Sequence, residues 1–150
     1  MISQSGRIEG VAFSAPQSEA LAPLLDALGA VGQPLQGLDS EATAQRFGLS
    51  AVRTEITPFL LGHERIELIH FPYAPPRHNV DPGPSNTLWF QHVAIVVRDL
   101  LKAAERLAPF VTPISASPQF LPNGVGAWKF RNACGHAMEL LFFPDGMGDP

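Results

Sequence analysis

The sequence predicts an α+β protein made of two copies of one strand–helix–strands module, and two observations support this prediction. The segment from Gly10 to Ser14 matches the segment from His92 to Val96 at an offset of 82 residues. An Ala- and Leu-rich helical pattern follows each segment, and residues 19–25 align with residues 101–107 without a gap. Near the end of each copy, residues 65–71 match residues 137–143 at an offset of 72. The first copy therefore carries about ten more residues in its middle.

The pattern of the first copy predicts six elements. In order, they are a strand at 7–14, a helix whose apolar face carries Leu21, Leu24, Leu25 and Leu28, a weak strand within 31–38, a short helix at 41–47, and strands at 51–60 and 64–71. Pro23 fits this helix only in its first turn, where a missing N–H breaks no hydrogen bond. The short helix has no counterpart in the second copy. It is the predicted insertion.

The second copy repeats the order with clearer signals. Its expected elements are a strand at 88–97, a helix with Asp99 as its N-cap and Leu100, Ala104 and Leu107 as its buried stripe, and strands at 114–120, 126–131 and 138–143. Between the copies, residues 73–87 are rich in proline, which favours an extended linker. The predicted organisation is one structural domain with a first module at 1–72, this linker, and a second module at 88–150 that ends in a short tail.

Composition excludes several functional classes. Hydrophobic residues make up 45% of the 150 residues and charged residues 16%, enough for a sizeable core. The formal charge is -4 without a Lys/Arg cluster, which disfavours nucleic acid and anionic membranes as partners. No apolar run approaches the roughly 20 residues that span a bilayer. A single cysteine, Cys134, and an N-terminus without signal-peptide features predict a cytoplasmic protein.

With this module order, the chain resembles the vicinal oxygen chelate superfamily, which contains glyoxalases, bleomycin-resistance proteins and extradiol dioxygenases. The resemblance is best from Trp89 to Val97 and from Phe130 to Leu141, and it covers about residues 7–145. Relatives read Arg-Asp-Pro-Asp-Gly-His before the last Glu, whereas this chain has Arg131-Asn-Ala-Cys-Gly-His136. The resemblance implies paired βαβββ modules that form a curved mixed sheet around a cleft, within one chain or across a homodimer.

The resemblance also implies a metal site. Metal ligands of relatives correspond here to Gly10, Glu67, His92 and Glu139, of which Gly10 cannot bind a metal. One His with two carboxylates suits Zn, Ni, Co, Mn or Fe. The residues agree, because His92 and Glu139 lie on strands that are otherwise apolar on both faces, and Glu67 is flanked by Ile66 and Leu68. An unpaired carboxylate is costly to bury in such places, and a bound cation would be a partner for all three residues.

Simpler interpretations stay open for the same residues. Each Glu can instead form a hydrogen bond with Arg53, Arg65 or Arg131. The turn and linker histidines, His63 and His78, are expected at the surface. His70, on a strand face opposite that of Glu67, is expected there as well. Cys134 lies in a turn without a base at a suitable spacing, which disfavours a catalytic thiol.

Six positions are candidates for a substrate pocket. Gly10, Ala12 and Ala94 are small and leave room for a ligand, Arg53 can bind an anionic group, Trp128 can line the pocket, and His136 can contact the substrate.

The resemblance implies two functions, of which the first is favoured, and a third function does not depend on the resemblance. The first is a metal-dependent lyase or isomerase, similar to lactoylglutathione lyase, that stabilises an enediolate and uses Glu139 or Glu67 as the general base. The second is a metal-free protein of the bleomycin-resistance type that sequesters an apolar or aromatic compound. The third is a scaffold without a small-molecule role. An extradiol dioxygenase is less favoured, because it needs two His and one Glu within one module.

Overall fold

The computed structural model describes residues 10–16, 20–50, 52–72 and 92–147. The chain divides into two compact units, Met1–Ala74 and Pro75–Pro150. The predicted linker at 73–87 lies outside the described residues, as do positions 7–9 and 88–91 of two predicted strands. No helix in the described ranges is long and apolar enough to cross a membrane.

The first unit is a mixed five-stranded sheet with two short helices. Its elements are β1 (Gly10–Ser14), α1 (Ala22–Ala27), β2 (Val31–Gly32), β3 (Gln36–Leu38), α2 (Ser40–Phe47), β4 (Thr54–Leu61) and β5 (Glu64–His70). The strand order is β1-β5-β4-β2, and β3 also pairs with β4. β1 runs parallel to β5, whereas the other pairs are antiparallel.

Proline and glycine set the limits of these elements. Pro23 lies in the first turn of α1, as predicted. Gly62 takes a φ of 62° in the turn between β4 and β5. Pro58 lies inside β4, opposite the break between β2 and β3, and its carbonyl accepts a hydrogen bond from the Gln33 N–H at 2.8 Å. The predicted strand within 31–38 is therefore two short strands, because Pro58 offers no N–H for a continuous ladder.

The second unit is also a mixed five-stranded sheet. Its elements are β6 (Val93–Val96), α3 (Leu100–Leu107), a 3₁₀ turn (Ala108–Phe110), β7 (Thr112–Pro113), β8 (Gln119–Phe120), β9 (Gly126–Arg131) and β10 (Ala137–Phe142). The strand order is β6-β10-β9-β7, and β8 also pairs with β9. Asp99 caps α3 through the Lys102 N–H at 3.0 Å, as predicted.

The predicted continuous strand at 114–120 is wrong. Two two-residue strands replace it, and residues 114–117 bend between them. The N–H groups of Ile114 and Ser115 both bind the carbonyl of Lys129, at 2.8 and 3.0 Å, which interrupts the ladder. Pro118 follows this bend and adds a position without a donor.

Strand registers confirm the repeat and the predicted fold class. Ala12 pairs with Glu67 in the first sheet, and Ala94 pairs with Glu139 in the second. Ala12 and Ala94 are equivalent under the offset of 82, and Glu67 and Glu139 are equivalent under the offset of 72. In the second unit, α3 packs on β9 and β10 and buries Leu100, Ala104 and Leu107. Met138, Leu140 and Phe130 form the buried face of the sheet, and Glu139 lies on its opposite face.

Candidate functional site

Two equivalent sheet faces carry the candidate residues. We call the face of the first sheet that carries Glu67, and the face of the second sheet that carries Glu139, the carboxylate face of each unit. In the first unit this face includes Gly10, Ala12 and Pro58 beside Glu67. In the second unit it includes Ala94 and Lys129 beside Glu139.

Glu67 is held by two arginines. Its residue is 8% exposed, and its carboxylate accepts hydrogen bonds from Arg46 Nη2 at 2.6 Å and Arg65 Nε at 2.9 Å. Arg65 Nη2 lies 2.7 Å from the same oxygen as Nε. Burial raises the pKa of Glu67, but the hydrogen bonds and positive charges of Arg65 and Arg46 lower it below the ordinary value. Glu67 is therefore ionised and paired within its own unit.

Arg46 reaches Glu67 because the inserted helix α2 packs on the carboxylate face. Asp39 begins α2 by accepting the Ala42 N–H at 2.9 Å, and Gly48 ends it with a φ of 69°. Between these caps, the buried Thr43 hydroxyl bonds that of Thr54 on β4 at 3.0 Å. Thr54 has the same strand parity as Pro58, so this contact fixes α2 over the face that carries Glu67.

Gly10 has no space for a side chain. A Cβ atom built on Gly10 would lie 2.3 Å from the carbonyl oxygen of Arg65, which is far inside van der Waals contact. The resemblance matches position 10 to a metal ligand. In the structure, the backbone of β5 fills the space that a side chain at this position would need. A ligating side chain at this position would require the backbone of β5 to move.

His92 and Glu139 meet on the carboxylate face of the second unit. His92 Nε2 lies 3.0 Å from one Glu139 oxygen, and Lys129 Nζ lies 3.8 Å from the other. Glu139 is buried, whereas the His92 side chain is 32% exposed and accessible to a solute. The three residues come from neighbouring strands or strand ends, so the sheet itself sets their spacing.

The predicted contact residues of the second unit lie in different surroundings. Trp128 is 4% exposed, packs beside Phe130 at 5.0 Å and donates its indole N–H to the Ser115 carbonyl at 3.0 Å. Its register partner is Leu140, which places it on the face opposite that of Glu139. Ala94 is exposed on the carboxylate face, as is its counterpart Ala12 in the first unit.

His136 belongs to a turn that Asn132 organises. The Asn132 side-chain oxygen accepts the N–H groups of Cys134 and His136, each at 3.0 Å, and its amide nitrogen lies 3.2 Å from His136 Nδ1. Burial lowers the pKa of His136 and raises that of Cys134. Both shifts favour the neutral form, which agrees with the expectation that Cys134 is not a reactive thiolate.

Arg53 borders a cavity of about 290 Å³ within the first unit. The lining consists of residues from β3, the start of α2 and the start of β4, together with Pro72: Gly37, Leu38, Asp39, Arg53, Thr54 and Glu55. This cavity is lined by neither Glu67 nor its arginines.

The three histidines that were expected at the surface differ in their surroundings. His63 is exposed in a turn, and a ring nitrogen of His70 lies 3.3 Å from the Ala15 carbonyl. His78 lies outside the described residues.

The three predicted ligands do not fit one metal centre as they stand. Both Glu67 oxygens are engaged by guanidinium groups, and Gly10 cannot be replaced by a ligand. Among residues 10–16, 20–50, 52–72 and 92–147, no three His, Cys, Asp or Glu side chains are grouped to hold a metal ion. The donor pair that the structure brings together is His92 with Glu139.

Known structures share this architecture. A glyoxalase family protein from Bacillus cereus aligns with a TM-score of 0.81 at 20% identity, covering 95% of this chain and 97% of its own. The chain has the glyoxalase fold. A glyoxalase/bleomycin resistance protein/dioxygenase domain from Frankia sp. aligns with a TM-score of 0.65 at 17% identity, covering 95% and 96%. The predicted resemblance to the vicinal oxygen chelate superfamily is confirmed at the level of the fold.

A third similar structure was solved with ligands. It is a mutant of the fosfomycin resistance protein FosX from Listeria monocytogenes, in complex with Mn(II) and a dihydroxypropylphosphonic acid. It aligns with a TM-score of 0.58 at 16% identity, covering 97% of this chain and 96% of its own. No family model and no curated protein sequence match the chain.

Three residues of the candidate site and its neighbouring turn were not predicted from the sequence. Arg46 lies 21 residues before Glu67, on a helix predicted only as an insertion. Lys129 alternates with apolar residues on its strand, and this period-2 pattern was the available signal that it faces away from the core. Asn132 is 5% exposed within a turn, and its role depends on backbone geometry that the sequence does not display.

Proposed function

We propose that this chain is a small-molecule-binding protein of the glyoxalase fold whose binding surface does not depend on a divalent metal. The observation that supports this proposal is the double arginine contact of Glu67. A cation bound by Glu67 would have to displace two guanidinium groups that already neutralise it. It would also lie within a few ångströms of their positive charges, where repulsion is strong.

The ligand class follows from the side chains around the carboxylates. Gly10, Ala12 and Ala94 project little or no side chain from the first strand of each unit, and the two alanines are exposed. Each of these small residues has a charged residue as its register partner on the last strand of its unit. Gly10 pairs with Arg65, Ala12 with Glu67 and Ala94 with Glu139. Such a surface suits an apolar or aromatic compound that also carries one polar group. The predicted homodimer and cytoplasmic location stay predictions.

The second candidate is the metal-dependent lyase or isomerase, and the His92–Glu139 pair favours it. Nitrogen and oxygen donors 3.0 Å apart are spaced as neighbouring ligands of one ion would be. The binding of Mn(II) by FosX supports metal use on this fold. An ion bound by these two donors would keep more coordination positions open for water or substrate than in typical catalytic sites, which supply three protein ligands.

Metal content and ligand binding together separate the two candidates. Elemental mass spectrometry of untagged protein should find less than about 0.1 metal ion per chain, unchanged in His92→Ala. Binding of aromatic and apolar compounds should be the same with and without EDTA. About one Mn, Fe, Co, Ni or Zn per chain, lost in His92→Ala and Glu139→Ala, would reject the metal-free proposal and favour the enzyme.

A further inference from the structure

We propose that Arg46 and Arg65 form a subsite in the first unit that binds an anionic group of the ligand. The anion class is a carboxylate, phosphate or phosphonate. This inference deepens the proposed function and rests on it, because it assigns the polar group of a ligand that binds at the carboxylate face. Neither the predicted metal set nor the predicted pocket residues include this pair.

Local charge favours an anion at this position. Two guanidinium groups meet the single carboxylate of Glu67, which leaves one net positive charge. The side chains of Arg46 and Arg65 are still 43% and 40% exposed, whereas that of Glu67 is 10% exposed. A solute that reaches this group therefore meets the arginines before the carboxylate. An anion gains more from this pair than a neutral solute does.

The donors are held in place before a ligand arrives. Arg46 contacts Glu67 through one terminal nitrogen, and its guanidinium lies 5.3 Å from the centre of the Phe47 ring. Phe47 in turn packs edge-on against Phe71 at 5.9 Å. Arg65 is fixed by its Nε and Nη2 contacts to Glu67. Because the planar donor groups are ordered, little side-chain entropy remains to be lost on binding.

Space for the anion lies beside the pair on β1. Gly10 is the register partner of Arg65, and Ala12 is the partner of Glu67, both on the carboxylate face. Gly10 adds no side chain, Ala12 adds only a methyl group, and both residues are exposed to solvent. The neighbouring strand therefore leaves the β1 side of the arginines uncovered by any larger side chain at these two positions. A carboxylate or phosphonate group is small enough to lie there.

The alternative is an ion pair that only stabilises the fold. The two interpretations differ in the effect of Glu67→Gln. Removing the carboxylate charge increases the positive charge of the subsite, so an anion should bind more tightly. A merely structural ion pair predicts no anion binding in any variant. Loss of binding in Glu67→Gln would mean that Glu67 favours binding, by contacting the ligand or by holding the arginines, more than its negative charge opposes it, which contradicts the subsite as proposed.

The test uses phenylphosphonate as the probe, benzyl alcohol as its neutral control, and the full chain at low ionic strength. Isothermal titration calorimetry should show about tenfold tighter binding of phenylphosphonate than of benzyl alcohol. Arg46→Gln and Arg65→Gln should each weaken phenylphosphonate binding about tenfold, and Glu67→Gln should tighten it at least about twofold. The matched control is Arg106→Gln, on the exposed side of α3 in the second unit, which should change nothing.

Circular dichroism of each variant checks that the fold persists, and Arg46→Lys and Arg65→Lys provide milder substitutions if a Gln variant unfolds. Equal binding of the two probes, an equal loss in Arg106→Gln, or weaker binding in Glu67→Gln would overturn the subsite. If benzyl alcohol or another neutral aromatic compound still binds without metal, the proposed function survives that outcome. If neither probe binds to any variant, the anion subsite is rejected, whereas the proposed function is still decided by the metal content and by EDTA-independent binding of other aromatic and apolar compounds.

Discussion

At the scale of single residues, a buried hydroxyl on β4 limits stability. Thr57 Oγ1 is buried and has no hydrogen-bond partner within the described part of the chain. Since Thr57 pairs with the fully buried Leu68, a methyl group suits this position better. We expect Thr57→Val to raise the free energy of unfolding by about 1 kcal/mol in urea denaturation.

The matched control is Thr43→Val. The Thr43 hydroxyl bonds that of Thr54 at 3.0 Å in a buried setting, so its removal leaves an orphaned partner. This variant should lower the free energy of unfolding by about 1–2 kcal/mol. If both substitutions shift stability in the same direction, the hydrogen-bond assignment of Thr57 is wrong.

Glu67 makes a pH-dependent contribution to stability. Its pKa in the folded protein lies below the ordinary 4.5, because hydrogen bonds and charges from Arg65 and Arg46 outweigh the opposing effect of burial. The contribution is therefore complete above about pH 4.5 and is lost as the pH falls through the lower folded pKa. The stability difference between the natural chain and Glu67→Gln should shrink between pH 5 and pH 3, measured by urea denaturation. A constant difference would contradict the ionised pair.

At the scale of elements, the caps of α2 decide whether an eight-residue helix stays docked. Asp39 supplies the N-cap contact to Ala42, and Gly48 supplies the left-handed C-terminal turn. Asp39→Ala should lower the free energy of unfolding by about 1 kcal/mol. The control is Asp26→Ala, an exposed position in α1, which should stay within about 0.5 kcal/mol of the natural chain. Equal effects would show that the α2 cap contributes nothing.

The parallel pairing of β1 with β5 depends on a glycine. A Cβ atom at Gly10 would meet the Arg65 carbonyl at 2.3 Å, so Gly10→Ala must push the strands apart. We expect a loss of about 1–3 kcal/mol in the free energy of unfolding. Gly37→Ala is the matched control, because a Cβ atom at Gly37 meets nothing within 4 Å. If the two variants are equally stable, β1 accommodates a side chain and the close approach does not constrain this position.

Elements with a complete local signal could be predicted from the sequence, and the others could not. Asp99 and the stripe of Leu100, Ala104 and Leu107 are sufficient to place α3. The edge strands have no such signal, since β2, β3, β7 and β8 hold two or three residues each and their breaks depend on a neighbour. Pro58, for example, interrupts the edge of a sheet from a strand more than twenty residues away.

At the scale of the whole molecule, the internal repeat predicted the fold, but of the partners that the charged residues have in the structure only Arg65, beside Glu67, was among those expected. Both Glu positions follow from the offsets of 82 and 72, because side-chain parity is preserved between equivalent strands. What neutralises each Glu is set by the differences between the copies. The insertion brings Arg46 to Glu67, and position 10 holds Gly where position 92 holds His. Sequence periodicity carries no information about such long-range pairs.

Equivalent substitutions in the two copies should therefore have unequal effects. Glu67→Gln leaves Arg46 and Arg65 facing each other without a counter-charge and should cost about 1–2 kcal/mol of unfolding free energy. Glu139→Gln keeps an oxygen and a nitrogen within reach of His92, and Lys129, the other basic side chain beside Glu139 in the described ranges, is 3.8 Å away, so the loss should be below about 0.5 kcal/mol. Urea denaturation at pH 7 measures both. Equal losses would mean that the arginine pair adds no stability beyond that of an ordinary polar contact, and the two copies would then be energetically interchangeable despite the insertion.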